Sequence, residues 1–371
     1  MSDSYNIYRT IYSALQKAWD FDPSKRQSNS LNILTGFICG IVQSKSVKLA
    51  NVAGDIPGSS KEESQIMRLR RWLSNEKVSV DLFYLPFIEV LIKCLAKQTL
   101  VLAIDGSTTA KGCITLMVSM IYKGRSLPLL WVTRQGKKGH FPQDMHIELI
   151  KSVQAIIPEG TAVICLGDGE FDGADWLKTL SDYGWEYACR TANNAVLYEN
   201  GEEFTFKDIC PEQGGMTEIP AVEFTRKRSI IVRAVVYWGG KYKDPIYLVT
   251  NLPTGGEAFN WYRKRFRIET LFSDLKGRGF NLQKSGLRAP ERVSRLIIAA
   301  ALAYIWMVYL GELTKKKGWD KIIHRKNRCD LSLFTLGMRL LKRLLREEKA
   351  LPQFCLALSG KALLYIVAPN I

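Results

Sequence analysis

Residues 99–135 read TLVLAIDGSTTAKGCITLMVSMIYKGRSLPLLWVTRQ, three apolar runs in close succession. The first, TLVLAID, is short and ends in a carboxylate, the pattern of a buried strand. KGCITLMVSMIYKG and RSLPLLWVTRQ predict two more strands, and the Lys-Gly-Arg sequence at their junction signals a hairpin. Downstream, residues 145–157 have helical spacing, TAVICLGDG (161–169) is a fourth apolar strand ending at an Asp, 174–183 is a second helix, and WEYACR (185–190) is a fifth strand. The order β-β-β-α-β-α-β predicts an α/β fold, a mixed sheet with helices on its faces.

On either side of this frame the texture changes. Residues 1–97 are helix-compatible throughout, with segments at 31–43, 47–53, 61–74 and 82–97 and a turn-rich break, GDIPGSS, at 54–60. The basic segment MRLRRWL (67–73) fits either a helix-turn-helix that enters a DNA groove or a plain helical bundle. After Arg190 the pattern is all-β: AVLYEN, FTFKDI, SIIVRAVVYWGG and DPIYLVTNL, within 191–252, are short strands between Gly, Asn and Pro turns. From 290 onward helices return at 293–313 and 331–346, followed by a terminal segment. The expected division is a helical DNA-binding region at 1–97, a core at 98–190 and 253–290, an inserted β sub-domain at 191–252, and a helical region at 291–371.

Composition narrows the function. With 47% hydrophobic and 24% charged residues among 371, the chain suits a soluble globular protein rather than a disordered one. Its 52 Lys and Arg against 36 Asp and Glu leave a net charge of +16, which calls for a polyanionic partner, nucleic acid first. The excess gathers at 263–278 and 315–349, with a smaller group at Arg68, Arg70 and Arg71. Eight dispersed cysteines without C-x-x-C and only three histidines exclude zinc spacing and read as reduced thiols of a cytoplasmic protein. The N-terminal MSDSYNIYRT lacks a secretory core. The longest apolar run, 296–310, is too short for a membrane span and reads as a core helix. No P-loop or dinucleotide fingerprint occurs, so no organic cofactor is expected. His140 and His146 flank a helix start and read as surface or cap residues, and Ser107, Thr108 and Thr109 lack a paired base.

The chemistry is concentrated in WYRKRFRIETLFSDLKGRG, residues 261–279. Tyr262, Arg265, Glu269 and Lys276 follow the spacing Y-x2-R-x3-E-x6-K. At ~100° per residue one helix would carry all four within an arc of about 60°, with Ile268, Leu271, Phe272 and Leu275 on an adjoining apolar stripe. The same spacing also permits an ordinary Arg265–Glu269 ion pair. Asp105 ends the first strand and Asp168 the fourth; each could be a simple cap, but together with Glu269 they form a set of three carboxylates.

Asp105, Asp168 and the Y-x2-R-x3-E-x6-K helix after a β insertion, preceded by LVTNL at 248–252, resemble the DDE transposases of the insertion-sequence-four type. The resemblance covers nearly the whole chain and implies a ribonuclease-H-like core. It implies that Asp105, Asp168 and Glu269 hold two Mg²⁺ ions, with Mn²⁺ able to substitute, for cleavage at element ends and strand transfer into target DNA. It further implies that Tyr262, Arg265 and Lys276 hold terminal phosphates, that Trp238 and Trp261 can stack a displaced base if they are not packing residues, and that two protomers pair two double-stranded DNA ends. The chain departs from the family at Asp168-Gly169-Glu170-Phe171-Asp172, where members have a basic residue and Gly before Phe. Glu170, Asp172 and Asp175 therefore remain alternatives for the second carboxylate. A nuclease with the same core, such as a junction resolvase, or a non-catalytic DNA-binding inhibitor of transposition are the competing functions.

Overall fold

Strands β1 (Leu100–Ala110), β2 (Cys113–Tyr122) and β3 (Arg125–Gln135) form the expected antiparallel meander. The β2–β3 connection is the two-residue turn Lys123-Gly124, with φ of 46° and 75°. Both values are left-handed, as in the primed turns that match strand twist, and glycine takes the second position without strain. The computed structural model describes residues 3–19, 23–137, 141–227 and 230–352. His140, Cys355 and the expected terminal segment beyond 352 lie outside them.

Ahead of the sheet stand α1 (Asp3–Ala18), α2 (Lys25–Ser44), α3 (Leu49–Gly54), α4 (Glu62–Ser74), α5 (Val80–Phe83) and α6 (Leu85–Leu95). The single helix expected at 82–97 is two, because Pro86 sits at the start of α6 and Tyr84 adopts a non-helical φ of −133°. The Tyr84 hydroxyl donates to Pro128 O at 2.6 Å, pinning this break to β3.

After β3 come α7 (Gln143–Gln154), β4 (Val163–Gly167), α8 (Ala174–Asp182) and β5 (Glu186–Arg190). Then follow β6 (Val196–Glu199), β7 (Glu202–Thr205), β8 (Met216–Phe224), β9 (Ile230–Tyr237) and β10 (Ile246–Thr250). All ten strands join one sheet in the order β3-β2-β1-β4-β5-β10-β9-β8-β6-β7. β4 pairs in parallel with β1 and β5, whereas β10 pairs antiparallel with β5. An antiparallel meander with two parallel strands beside it is the mixed sheet expected from the sequence, and the ribonuclease-H-like arrangement the family resemblance implied. The strands of 191–252 thus extend the core sheet through β10. β8 is not legible in the sequence: MTEIPAVEF carries Pro220 and two Glu residues. Its pairing with β9 shifts register between Ile219 and Val222, which accommodates the proline.

The chain closes with α9 (Gly255–Tyr262), α10 (Arg267–Leu275), α11 (Pro290–Lys316), α12 (Asp320–Ile323) and α13 (Leu333–Arg346). By length and composition α11 could cross a membrane, but its whole apolar window is buried inside the protein. It packs against α2, α4, β3 and α13, as the core helix expected at 296–310. On one side of the sheet a smaller cluster, including Val101, Ile164, Leu166 and Leu248, packs with Phe259 and Tyr262 of α9. That packing fixes the start of the functional segment.

Candidate active site

β1 and β4 run in register, Leu100 opposite Val163 and Ala103 opposite Leu166. The same offset carries Asp105 opposite Asp168, one residue past the end of β4. Asp105, expected to end the first strand, does not: β1 continues past it to Ala110 on β2. It lies where β1 loses its β4 neighbour, so its side chain faces a gap that Asp168 shares.

The third carboxylate arrives on a segment that is not one straight helix. α9 ends at Tyr262, α10 starts at Arg267, and Lys276 follows the last turn with φ of −93° and ψ of −129°. Between the helices the ladder tightens: Lys264 N–H donates to Trp261 O at 2.8 Å, and Arg265 N–H to Tyr262 O at 2.8 Å. These are 3₁₀ bonds, in which residues three apart eclipse, so Arg265 follows Tyr262 along the turn. Like-charge repulsion contributes only a few tenths of a kcal/mol to the break. A straight helix would stack Arg263 on Arg267 at i,i+4, an unfavourable like-charge pair. Here Lys264 lies 3.5 Å over the Trp261 ring, and Arg267 lies 4.5 Å over Phe266.

The turn delivers Arg265 into the carboxylates. Its Nη1 lies 3.8 Å from Asp105 Oδ2 and 3.9 Å from Asp168 Oδ2, while Nη2 pairs with Glu269 Oε1. The Arg265 side chain is 12% exposed, against 16% for Asp105, 35% for Asp168 and 54% for Glu269. Among the described residues no three metal-ligating side chains form a ready cluster; the guanidinium stands between these three. Burial, then the Asp168 charge, pushes the Asp105 carboxyl up to about 7, against the pull of Arg265 and the Gly106 N–H. Burial opposes the Arg265 charge, yet Tyr262, Asp105, Glu269 and Asp168 together raise its pKa. Burial likewise lowers Lys276, with Asp105 opposing.

Lys276 Nζ donates to Ser107 Oγ, so Ser107 serves as a lysine partner. Tyr262 is buried at the end of α9, and burial raises its phenol. The alternative carboxylates are engaged elsewhere. Glu170 accepts from Phe141 N–H and lies 3.4 Å from His146 Nε2. Asp172 accepts from Thr191 Oγ1 at 2.7 Å, and Asp175 from Gln143 Nε2 at 3.1 Å. His146, expected at the surface or as a cap, is buried in α7 because its ring packs on Phe171 and Trp176. Trp238 follows β9 and donates to Tyr242 O at 3.2 Å; Trp261 is half-buried beneath Lys264.

Residues 97–306, from just before β1 into α11, match the Transposase DDE domain family. The chain belongs to this family. No curated protein sequence matches it. Among solved structures it is similar to a piggyBac transposase synaptic complex with hairpin DNA, with 11% identity and a TM-score of 0.47 over 98% of this chain and 84% of that one. It is also similar to human ENDOV, with 13% identity and a TM-score of 0.24 over 60% of this chain and 96% of that one.

Beyond these three carboxylates, two cavities flank the corner between α2 and α3. One, about 570 Å³, is lined by Lys48, Arg70, Arg71 and Arg292 around Leu49 and Met67. The other, about 180 Å³, is lined by Lys45, Arg278, Arg339 and Lys342 around Phe334. All eight cations are exposed. Val47 N–H donates to Phe280 O at 2.9 Å, tying this corner to the chain that leaves Lys276. The three charge groups of the sequence are thus represented around one corner. Lys45, Lys48 and Arg292 were not singled out in the sequence, where they stand as isolated cations.

The opposite side of α10 is anchored by Asp274, which accepts from Arg125 Nη1 at 3.0 Å. Burial pushes this carboxyl up to about 6, against the pull of Arg125 and Arg278. An unfolded Asp titrates near ~4, so the folded protein holds the proton more tightly. The contribution of Asp274 to stability is therefore full below about pH 4 and declines as pH rises through about 6. Asp274→Asn removes that dependence. The variant's Tm relative to wild type should climb by a few degrees between about pH 4 and 7, and a flat difference would refute the assignment.

Proposed function

We propose that this DDE-family protein is a cut-and-paste DNA transposase of the insertion-sequence-four type, which cleaves the ends of its element and joins them to target DNA. The observation that carries the reading is the convergence of Asp105, Asp168 and Glu269 on one cationic point beside the in-register ends of β1 and β4. The donor set fits Mg²⁺ or Mn²⁺: all are carboxylate oxygens, and they already surround a positive group. Two divalent ions held by these residues would stabilise charge on the attacking and leaving oxygens.

The chain's own groups supply the remainder. Arg265 can offer a fork to a phosphate, and Lys276 a point charge. Tyr262 lies beside Arg265, and Trp238 and Trp261 are the proposed stacking surfaces for a displaced base. Synapsis would pair two ends with two protomers in the cytoplasm, on chromosomal DNA. The basic corner around Lys45 and Lys48 would track the duplex backbone. Lys48→Ala combined with Arg71→Ala should lower the slope of log affinity against log salt by about two, one per lost phosphate contact. An unchanged slope would remove these residues from the DNA path.

The deciding experiment supplies purified protein with Mg²⁺ and a pre-cut element end. Joining of that end to a target plasmid supports the transposase. Cleavage of uncut ends without joining of pre-cut ones identifies a nuclease, and binding without either identifies an inhibitor.

A further inference from the structure

Three carboxylates facing one gap repel each other unless a cation stands among them. Arg265 is that cation, and its manner of binding is unusual for a structural bridge. Nη1 lies 3.8 Å from Asp105 and 3.9 Å from Asp168, too far for hydrogen bonds. Both Nη1 and Nε are buried and donate to no acceptor. A guanidinium that serves as a permanent tie directs paired N–H groups at a carboxylate in a fork. Here Nη2 is hydrogen-bonded to Glu269 and the Tyr262 hydroxyl lies within reach of the guanidinium, while Nη1 and Nε make no well-aligned hydrogen bond in a partly buried site. Its backbone lies in the 3₁₀ turn between α9 and α10, outside both helices.

We infer that Arg265 is an exchangeable counter-ion. It neutralises Asp105, Asp168 and Glu269 while the metal site is empty, yields them when divalent ions bind, and then turns its open donors to a DNA phosphate. This rests on the metal-dependent reading above and adds a coupling to it. Two cations that compete for one set of carboxylates must weaken each other's binding. A phosphate that accepts from Arg265 relieves this competition, so DNA and metal promote each other. The arginine thereby keeps the carboxylates occupied until substrate arrives.

The test measures Mn²⁺ binding to DNA-free wild type, Arg265→Gln, Arg265→Lys and Asp105→Asn by calorimetry, together with the Tm of each metal-free protein. Arg265→Gln should bind Mn²⁺ on the order of 5- to 150-fold more tightly, the usual range for coupled sites. Its metal-free Tm should fall, and saturating Mn²⁺ should restore it. A short duplex end should tighten Mn²⁺ binding by wild type more than by Arg265→Gln. Mn²⁺ affinity that is unchanged or weaker in Arg265→Gln overturns the inference and leaves the metal site standing. Absence of Mn²⁺ binding to wild type and Arg265→Gln alike, or undiminished binding to Asp105→Asn, overturns the metal site as well. Should Arg265→Gln fail to fold, Arg265→Met, which also removes the charge, decides by the same outcomes, whereas Arg265→Lys, which keeps it, should bind Mn²⁺ about as wild type does.

Discussion

Glu269→Gln should lower metal-dependent cleavage of element ends by roughly a thousandfold or more, while end binding changes by less than about twofold. The amide keeps the size of the side chain and removes its charge. Glu269 is 54% exposed on the first turn of α10, so the fold does not depend on it. Its favourable interaction with the helix dipole is worth only a few tenths of a kcal/mol to about 1 kcal/mol at such a position. A metal ligand contributes several kcal/mol in the transition state, which is where the thousandfold originates. Single-turnover cleavage of an end-labelled duplex, with binding measured on the same substrate, separates the two. Cleavage at the wild-type rate would remove Glu269 from the site.

The second large effect concerns the platform beneath that site. α11 and α13 approach until a Cβ placed on Gly337 would lie 1.9 Å from Met307 O. A Cβ on Gly311 would lie 1.8 Å from Leu333 O. The obstructing atoms are backbone, so no side chain can swing aside, and the helices must separate. Gly337→Ala should therefore destabilise the protein by about 3 kcal/mol, the upper end for overpacking. Gly54→Ala is the control: nothing lies within 4 Å of its Cβ position, and its effect should stay within about 0.5 kcal/mol. Thermal unfolding of the pair checks this. Equal Tm values would mean that the two helices slide past each other freely.

The sheet was legible because its inner strands are apolar runs bounded by turns, and Lys123-Gly124 marks a hairpin by its chemistry alone. The carboxylates were legible as residues but not as a geometry. Asp105 looked like a strand end because LVLAID stops being apolar there, whereas the backbone continues on hydrogen bonds to β2. The break at 263–266 was hidden because the Y-x2-R-x3-E-x6-K spacing satisfies a straight helix equally well. The turn carries four cations, two of which, Lys264 and Arg267, lie over the Trp261 and Phe266 rings. The Arg265–Glu269 pair was visible at i,i+4, but its reach to Asp105 and Asp168 depends on the register of β1 and β4. β8 was missed because a proline and two acidic residues conceal a strand half of whose neighbours are solvent.

The placement of α11 has a consequence for synthesis. Its contact partners α2, α4 and β3 leave the ribosome before it, and α13 after it. A nascent chain halted ahead of Pro290 presents greasy surfaces with nothing to cover them, the state in which chaperones and proteases intercept polypeptides.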